Sequence, residues 1–103
     1  LAIRHGSTLY EAWAHRLLAE ISMNENPAQS RTHFDRAISL NKKMKVENEL
    51  ALAYSGLGRY HKQQGNVEQA KEYLTKALEI FERLGTLIEP DKVRKELTNL
   101  QTD

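Results

Sequence analysis

The chain has no cysteine. Disulfide scaffolds and thiolate zinc sites are therefore excluded, and a reducing compartment is permitted. Neither sign of charge dominates: fifteen Lys and Arg stand against fourteen Asp and Glu, a formal net charge of +1. So even a balance gives no bulk attraction to nucleic acid or to an anionic membrane. No apolar run approaches the roughly 20 residues that span a bilayer, and no signal-peptide pattern is present. Strand alternation and low-complexity segments are missing too. What remains is a composition ordinary for a helical protein of one domain, with 40% hydrophobic and 28% charged residues. The first residue is Leu1 rather than Met, so the chain reads as a piece of a longer polypeptide.

Helical periodicity fills the sequence. A first helix is expected to begin at Gly6-Ser7-Thr8, where Thr8 and Glu11 have capping-box spacing, and Leu9, Ala12, Trp13, Leu17, Leu18 and Ile21 recur at helical intervals after it. Asn26, Pro27 and Gln29 supply a cap, a first-turn proline and a second capping box for helix two, which turns Phe34, Ala37 and Ile38 inward. Lys42, Lys43 and Lys45 gather at its end, where positive charge suits the helix dipole. Helix three covers roughly 46–64. Gly65 supplies a left-handed stop, and Asn66 with Gln69 repeats the cap. Helix four carries Val67, Ala70, Leu74, Ala77, Leu78 and Phe81 inward and stops at Gly85. Glu89-Pro90 opens a shorter helix five with Val93, Leu97 and Leu100.

The helices repeat. Thirty-nine residues separate Ala14 from Ala53, Leu18-Ala19 from Leu57-Gly58, and Ile21 from Tyr60. Forty separate Ser30 from Ala70, Phe34 from Leu74, and Ala37-Ile38 from Ala77-Leu78. Small residues match small and large match large, as close helix packing requires. A shift of forty also lays Val93 on Ala53 and Leu97 on Leu57, with Thr98 in the place of Gly58. The second copy, with Tyr54, Leu57, Gly58, Ala70, Leu74 and Ala77, resembles the tetratricopeptide repeat family. His61 stands where that family's second aromatic is usual, and Glu82 where a terminating proline is usual. A unit near forty residues resembles the family's long-unit type, found in kinesin light chain and in bacterial regulators.

The resemblance implies an all-α, right-handed α-solenoid. Repeat one would occupy 7–44, repeat two 46–85, and a C-terminal capping helix 89–101. It further implies a concave surface lined by the first helix of each pair: Trp13, Arg16, Glu20 and Met23, then Leu52, Ser55, Arg59 and Lys62, then Lys92, Lys95 and Asn99. Such a lining is basic, and it suits an acidic peptide or partner surface. The bland alternatives are a Trp13 used for packing and charges that are merely solvated. Ser55 and Arg59 stand where the family's carboxylate-gripping Lys and Asn pair would be, so that use is not supported.

Catalysis finds no motif. Gly56-x-Gly58 lacks the third glycine and the preceding strand of a phosphate loop, and reads as helix packing. His5, His15, His33 and His61 have no partner at ligand spacing on one helix face, and Glu11 with His15 reads as a surface pair. Ser7, Ser22, Ser30, Ser39 and Ser55 sit in no context of an activated nucleophile. The expectation is a cytoplasmic, non-enzymatic interaction module of a signalling protein, with no cofactor, metal, nucleic-acid or membrane partner. RNA binding would need repeated base-reading side chains and more positive charge. The alternative function is self-assembly or an intramolecular scaffold, through an apolar outer face of helices one and two that lacks a preceding repeat.

Overall fold

The computed structural model describes the backbone of residues 2–85 and 88–102 and the side chains of residues 8–85 and 90–100. His5, Ser7 and Glu89 lie outside the described side chains. Five helices follow in order: α1 (Ala2–Ser22), α2 (Pro27–Met44), α3 (Glu47–Gln63), α4 (Val67–Leu84) and α5 (Ile88–Thr102). No strand occurs among the described residues. Each helix packs on the next, and the chain spreads over 48 × 34 × 17 Å. This is the all-α helical-repeat solenoid that the repeat implies.

The turns follow from local chemistry. Asn26 caps α2 by accepting the Gln29 amide at 3.2 Å, and its side-chain amide donates to Gln29 Oε1 at 3.1 Å. Pro27 fills the first turn, where its missing N–H costs nothing. Helices α2, α3 and α4 all close through a left-handed residue: Lys45, Gly65 and Gly85. After α2 and α3 a further amide reaches back five residues, from Val46 to Asn41 and from Asn66 to His61.

Three local expectations fail. Helix α1 begins at Ala2, so it runs through Thr8 and leaves the Thr8–Glu11 box no helix end to close. Asn66 takes the N-cap position of α4 but makes no side-chain cap bond; at φ −92° its backbone differs from that of Asn26 at φ −143°. Val67 is exposed rather than inward, and α4 buries Ala70, Leu74, Ala77 and Phe81.

Two apolar clusters hold the stack. One joins Ala19 of α1, Met23 of the turn that follows it, Phe34 of α2 and Leu57 of α3. The other joins Ala51 and Tyr54 to the buried stripe of α4 and to Val93 and Leu100 of α5. Burying a side chain such as Phe34 or Leu57 contributes about 1.5–3 kcal/mol. Glycine permits the approach. A β-carbon on Gly56 would lie 2.5 Å from the Phe34 ring, and one on Gly58 2.7 Å from Leu74. The Gly-x-Gly pair is thus a packing device, as its context implied. In the first hairpin Ser30 donates to the Ala19 carbonyl at 2.6 Å, closing α2 onto α1.

Gly56→Ala should therefore destabilise the protein. Overpacking a fully buried ring costs about 1–3 kcal/mol, and the gain in helix propensity returns about 0.8–1 kcal/mol. Chemical denaturation should show a net loss, of up to about 2 kcal/mol. Unchanged or increased stability would show that the Phe34 ring has room to move.

Candidate interaction surfaces

The residues expected to line a concave basic face do not share one fate. Met23 is 6% exposed and packs with Phe34 and Leu57; Ser55 is 1% exposed and donates to the Leu52 carbonyl at 2.9 Å. Both are withdrawn from any partner, because close helix approach takes up their side of the backbone. Leu52 is half-buried against the second cluster. Trp13 is 42% exposed, and its ring lies 5.5 Å from that of Tyr10, so it does not fill the core.

The arginines of this face are engaged. Arg16 bonds Glu20 at 2.9 Å and lies 3.9 Å from Glu49 of α3. Arg59 grips Glu96 of α5 with two nitrogens, at 2.7 and 3.3 Å. Both pairs are partly shielded from water, which makes them firmer than open surface pairs. Glu49 and Glu96 come from other helices, so helical spacing alone could not show the neutralisation. Lys62, Lys92, Lys95 and Asn99 are exposed, and the three lysines have no ion pair among the described residues.

Helix α1 turns its large apolar residues outward. Leu9, Tyr10, Trp13, Leu18 and Ile21 are 42%, 67%, 42%, 47% and 76% exposed, while Ala12 and Ala19 are buried, as is Met23 in the turn after the helix. At about 100° per residue the exposed set, with Ala14 and Leu17, sweeps about half the helix circumference. Glu20 is the charged residue within that arc.

Two histidine arrangements escaped sequence reasoning because they form between helices. His15 Nδ1 of α1 and His33 Nδ1 of α2 stand 2.9 Å apart. Burial, then His33, holds the His15 pKa below the ordinary imidazole value. His61 is 2% exposed and stacks on Tyr73 at 5.5 Å and 9°, so it serves as the aromatic its position calls for. Tyr73 stacks in turn on Tyr54. Arg31 Nη1 donates to His61 Nε2 at 3.3 Å, which places the proton on Nδ1, a buried atom with no partner among the described residues. Burial, then the Arg31 charge, pushes the His61 pKa down. Among the described residues no three His, Cys, Asp or Glu side chains cluster as a metal site would require, and no helix is long and apolar enough to cross a membrane.

The sequence profile of the tetratricopeptide repeat family matches residues 10–83, more than half of the chain. The chain belongs to the tetratricopeptide repeat family. No curated protein and no solved structure matches it. Tetratricopeptide repeat domains are in general protein-interaction modules rather than catalysts.

Both histidine shifts have the same consequence for stability. A His whose folded pKa is depressed binds fewer protons when folded than when unfolded, so its contribution is complete above the ordinary imidazole value and is lost as pH falls through it. The melting temperature should fall between pH 7.5 and 5.5, a window chosen around the ordinary value of about 6.5. His61→Phe should keep the fold and lessen that fall. An equal acid loss in the variant would remove His61 from the account.

Proposed function

We propose that this chain is a non-catalytic protein-association module whose principal contact is the outer apolar face of α1. One observation carries the reading: residues that α3 covers with a neighbouring helix stand bare on α1. In α3, Leu57 and Tyr60 belong to the Phe34 cluster, and Gly56 lies against the Phe34 ring of α2. Thirty-nine residues earlier stand Leu18, Ile21 and Leu17. Leu57 is 0% exposed, whereas Leu18 is 47% exposed. The α2–α3 seam therefore sets the shape of what α1 accepts, a helix presenting an aromatic or aliphatic ridge. For the 103-residue chain on its own, the occupant is a second copy; in a longer array it is a helix of a further repeat. The offset of thirty-nine to forty residues fits the long-unit type.

A second reading keeps the acidic partner on the concave side. It rests on Lys62, Lys92 and Lys95, which are exposed and have no carboxylate partner among the described residues, with Trp13 as an apolar anchor. Arg16 and Arg59 contribute less there than their charges suggest, since each already holds a glutamate.

Sedimentation of the isolated chain over a wide concentration range should show a reversible dimer. Leu18→Glu with Ile21→Glu should render it monomeric while circular dichroism stays helical, because both positions are exposed. A concentration-independent monomer in the unaltered chain would contradict self-association. For the second reading, Lys62→Glu with Lys92→Glu and Lys95→Glu should weaken an acidic partner without lowering the melting temperature, and unaltered affinity would remove that groove.

A further inference from the structure

Five of the six arginines with described side chains hold a carboxylate: Arg16 with Glu20, Arg31 with Asp35, Arg59 with Glu96, Arg83 with Glu47 and Arg94 with Glu82. Arg36 is the sixth, and among the described residues it has no ion pair. It lines a cleft of about 510 Å³ between the N-terminal half of α1 and the C-terminal half of α2. Lys43 and Lys45 line the same cleft, also without ion pairs to the described residues. Glu11 is the one acidic residue of its described lining, and half-buried Leu40 and Met44 are apolar parts of that lining.

Lysines near a helix C-terminus can be there simply to complement the dipole. That covers Lys43, but the effect fades within the last turn. Arg36 stands eight residues before Met44, the last residue of α2, and so lies beyond its reach. Lys45 is also unexplained by the dipole alone. It sits at φ 59°, ψ 39°, in the left-handed region where α3 and α4 close with Gly65 and Gly85. Glycine adopts that conformation without steric cost and lysine does not, so this turn accepts strain while it carries a charge to the cleft.

We propose that the α1–α2 cleft binds an acidic segment of a partner protein. Asp or Glu side chains of the segment meet Arg36, Lys43 and Lys45, and an aliphatic side chain between them rests against Leu40 and Met44. Arg36 is suited to the central contact, because an unpaired guanidinium can fork onto a carboxylate. The C-terminal end of α2 opposes an anion with roughly half an elementary charge, against three full cations. Glu11 also opposes it and tempers the affinity. The cleft is separate from the apolar face of α1 and from the Lys62, Lys92 and Lys95 surface, so it stands or falls independently of both.

The test is fluorescence anisotropy with a dye-labelled peptide of alternating Glu and Leu, and a Lys and Leu peptide as control. The acidic peptide should bind and the basic one should not, and added salt should weaken binding. Arg36→Glu with Lys43→Glu should weaken it by about tenfold or more. Glu11→Gln should tighten it by about twofold. All three positions are exposed, so the variants should fold, which circular dichroism checks. Absence of binding to the acidic peptide would overturn the proposal. So would binding unaffected by the Arg36 and Lys43 changes, or binding lost only when Lys62, Lys92 and Lys95 are reversed, which would transfer the contact to the other surface.

Discussion

The contact between the Phe34 ring and the bare backbone of Gly56 governs this structure. The ring is fully buried among Ala19, Met23 and Leu57, so one side chain of α2 touches both the helix before it and the helix after it. No β-carbon fits at Gly56, and the spacing between the two hairpins is thereby fixed. Whatever α4 and α5 present is carried by α3 and inherits that spacing. The second hairpin uses the same logic with a smaller wedge, Leu74 against Gly58, and Ala70 stands where the first hairpin has Ser30.

A seam built from small residues has a consequence for the outside. Where helices approach closely, the buried positions are Ala, Ser and Gly, and large apolar residues that are not wedges are left on the surface. On α3 that surface is taken up by α2. On α1 it is open, which gives the molecule an apolar face beside arginines that, among the described residues, are mostly paired. Arg16 reaches toward Glu49 of α3, and Arg59 ties α3 to Glu96 of α5, so basic residues that the family resemblance assigns to a ligand-facing surface link neighbouring helices. The cations left over are lysines and Arg36; of these Arg36, Lys43 and Lys45 lie along α2 and its C-cap beside Leu40 and Met44, and α1 closes the other side of their cleft.

Most of the architecture was legible because local signals and the repeat agreed. Asn26-Pro27, Gly65 and Gly85 marked turns that the structure has, and Leu57 and Ala77 are buried as their positions in the repeat demand. The inward side of α1 was not legible. The periodic set Leu9, Ala12, Trp13, Leu17, Leu18 and Ile21 does not tell which side meets α2; Ala12 and Ala19, with Met23 just after the helix, are the buried residues, since proximity to α2 rewards small volume more than hydrophobic area. The start of α1 was missed because capping-box spacing can occur inside a helix. The surface expected to bind was legible only in part. Met23 and Ser55 are lost to packing, and the partners of Arg16 and Arg59 include residues distant in sequence. The His15–His33 contact crosses two helices and leaves no trace in the spacing along either.

A double-mutant cycle between Phe34→Leu and Leu57→Ala, read by chemical denaturation, tests the seam most directly. If the ring couples the two hairpins, the two changes interact by about 0.5–3 kcal/mol. Additivity to within about 0.3–0.5 kcal/mol would show that the hairpins hold their places without it, contrary to this account.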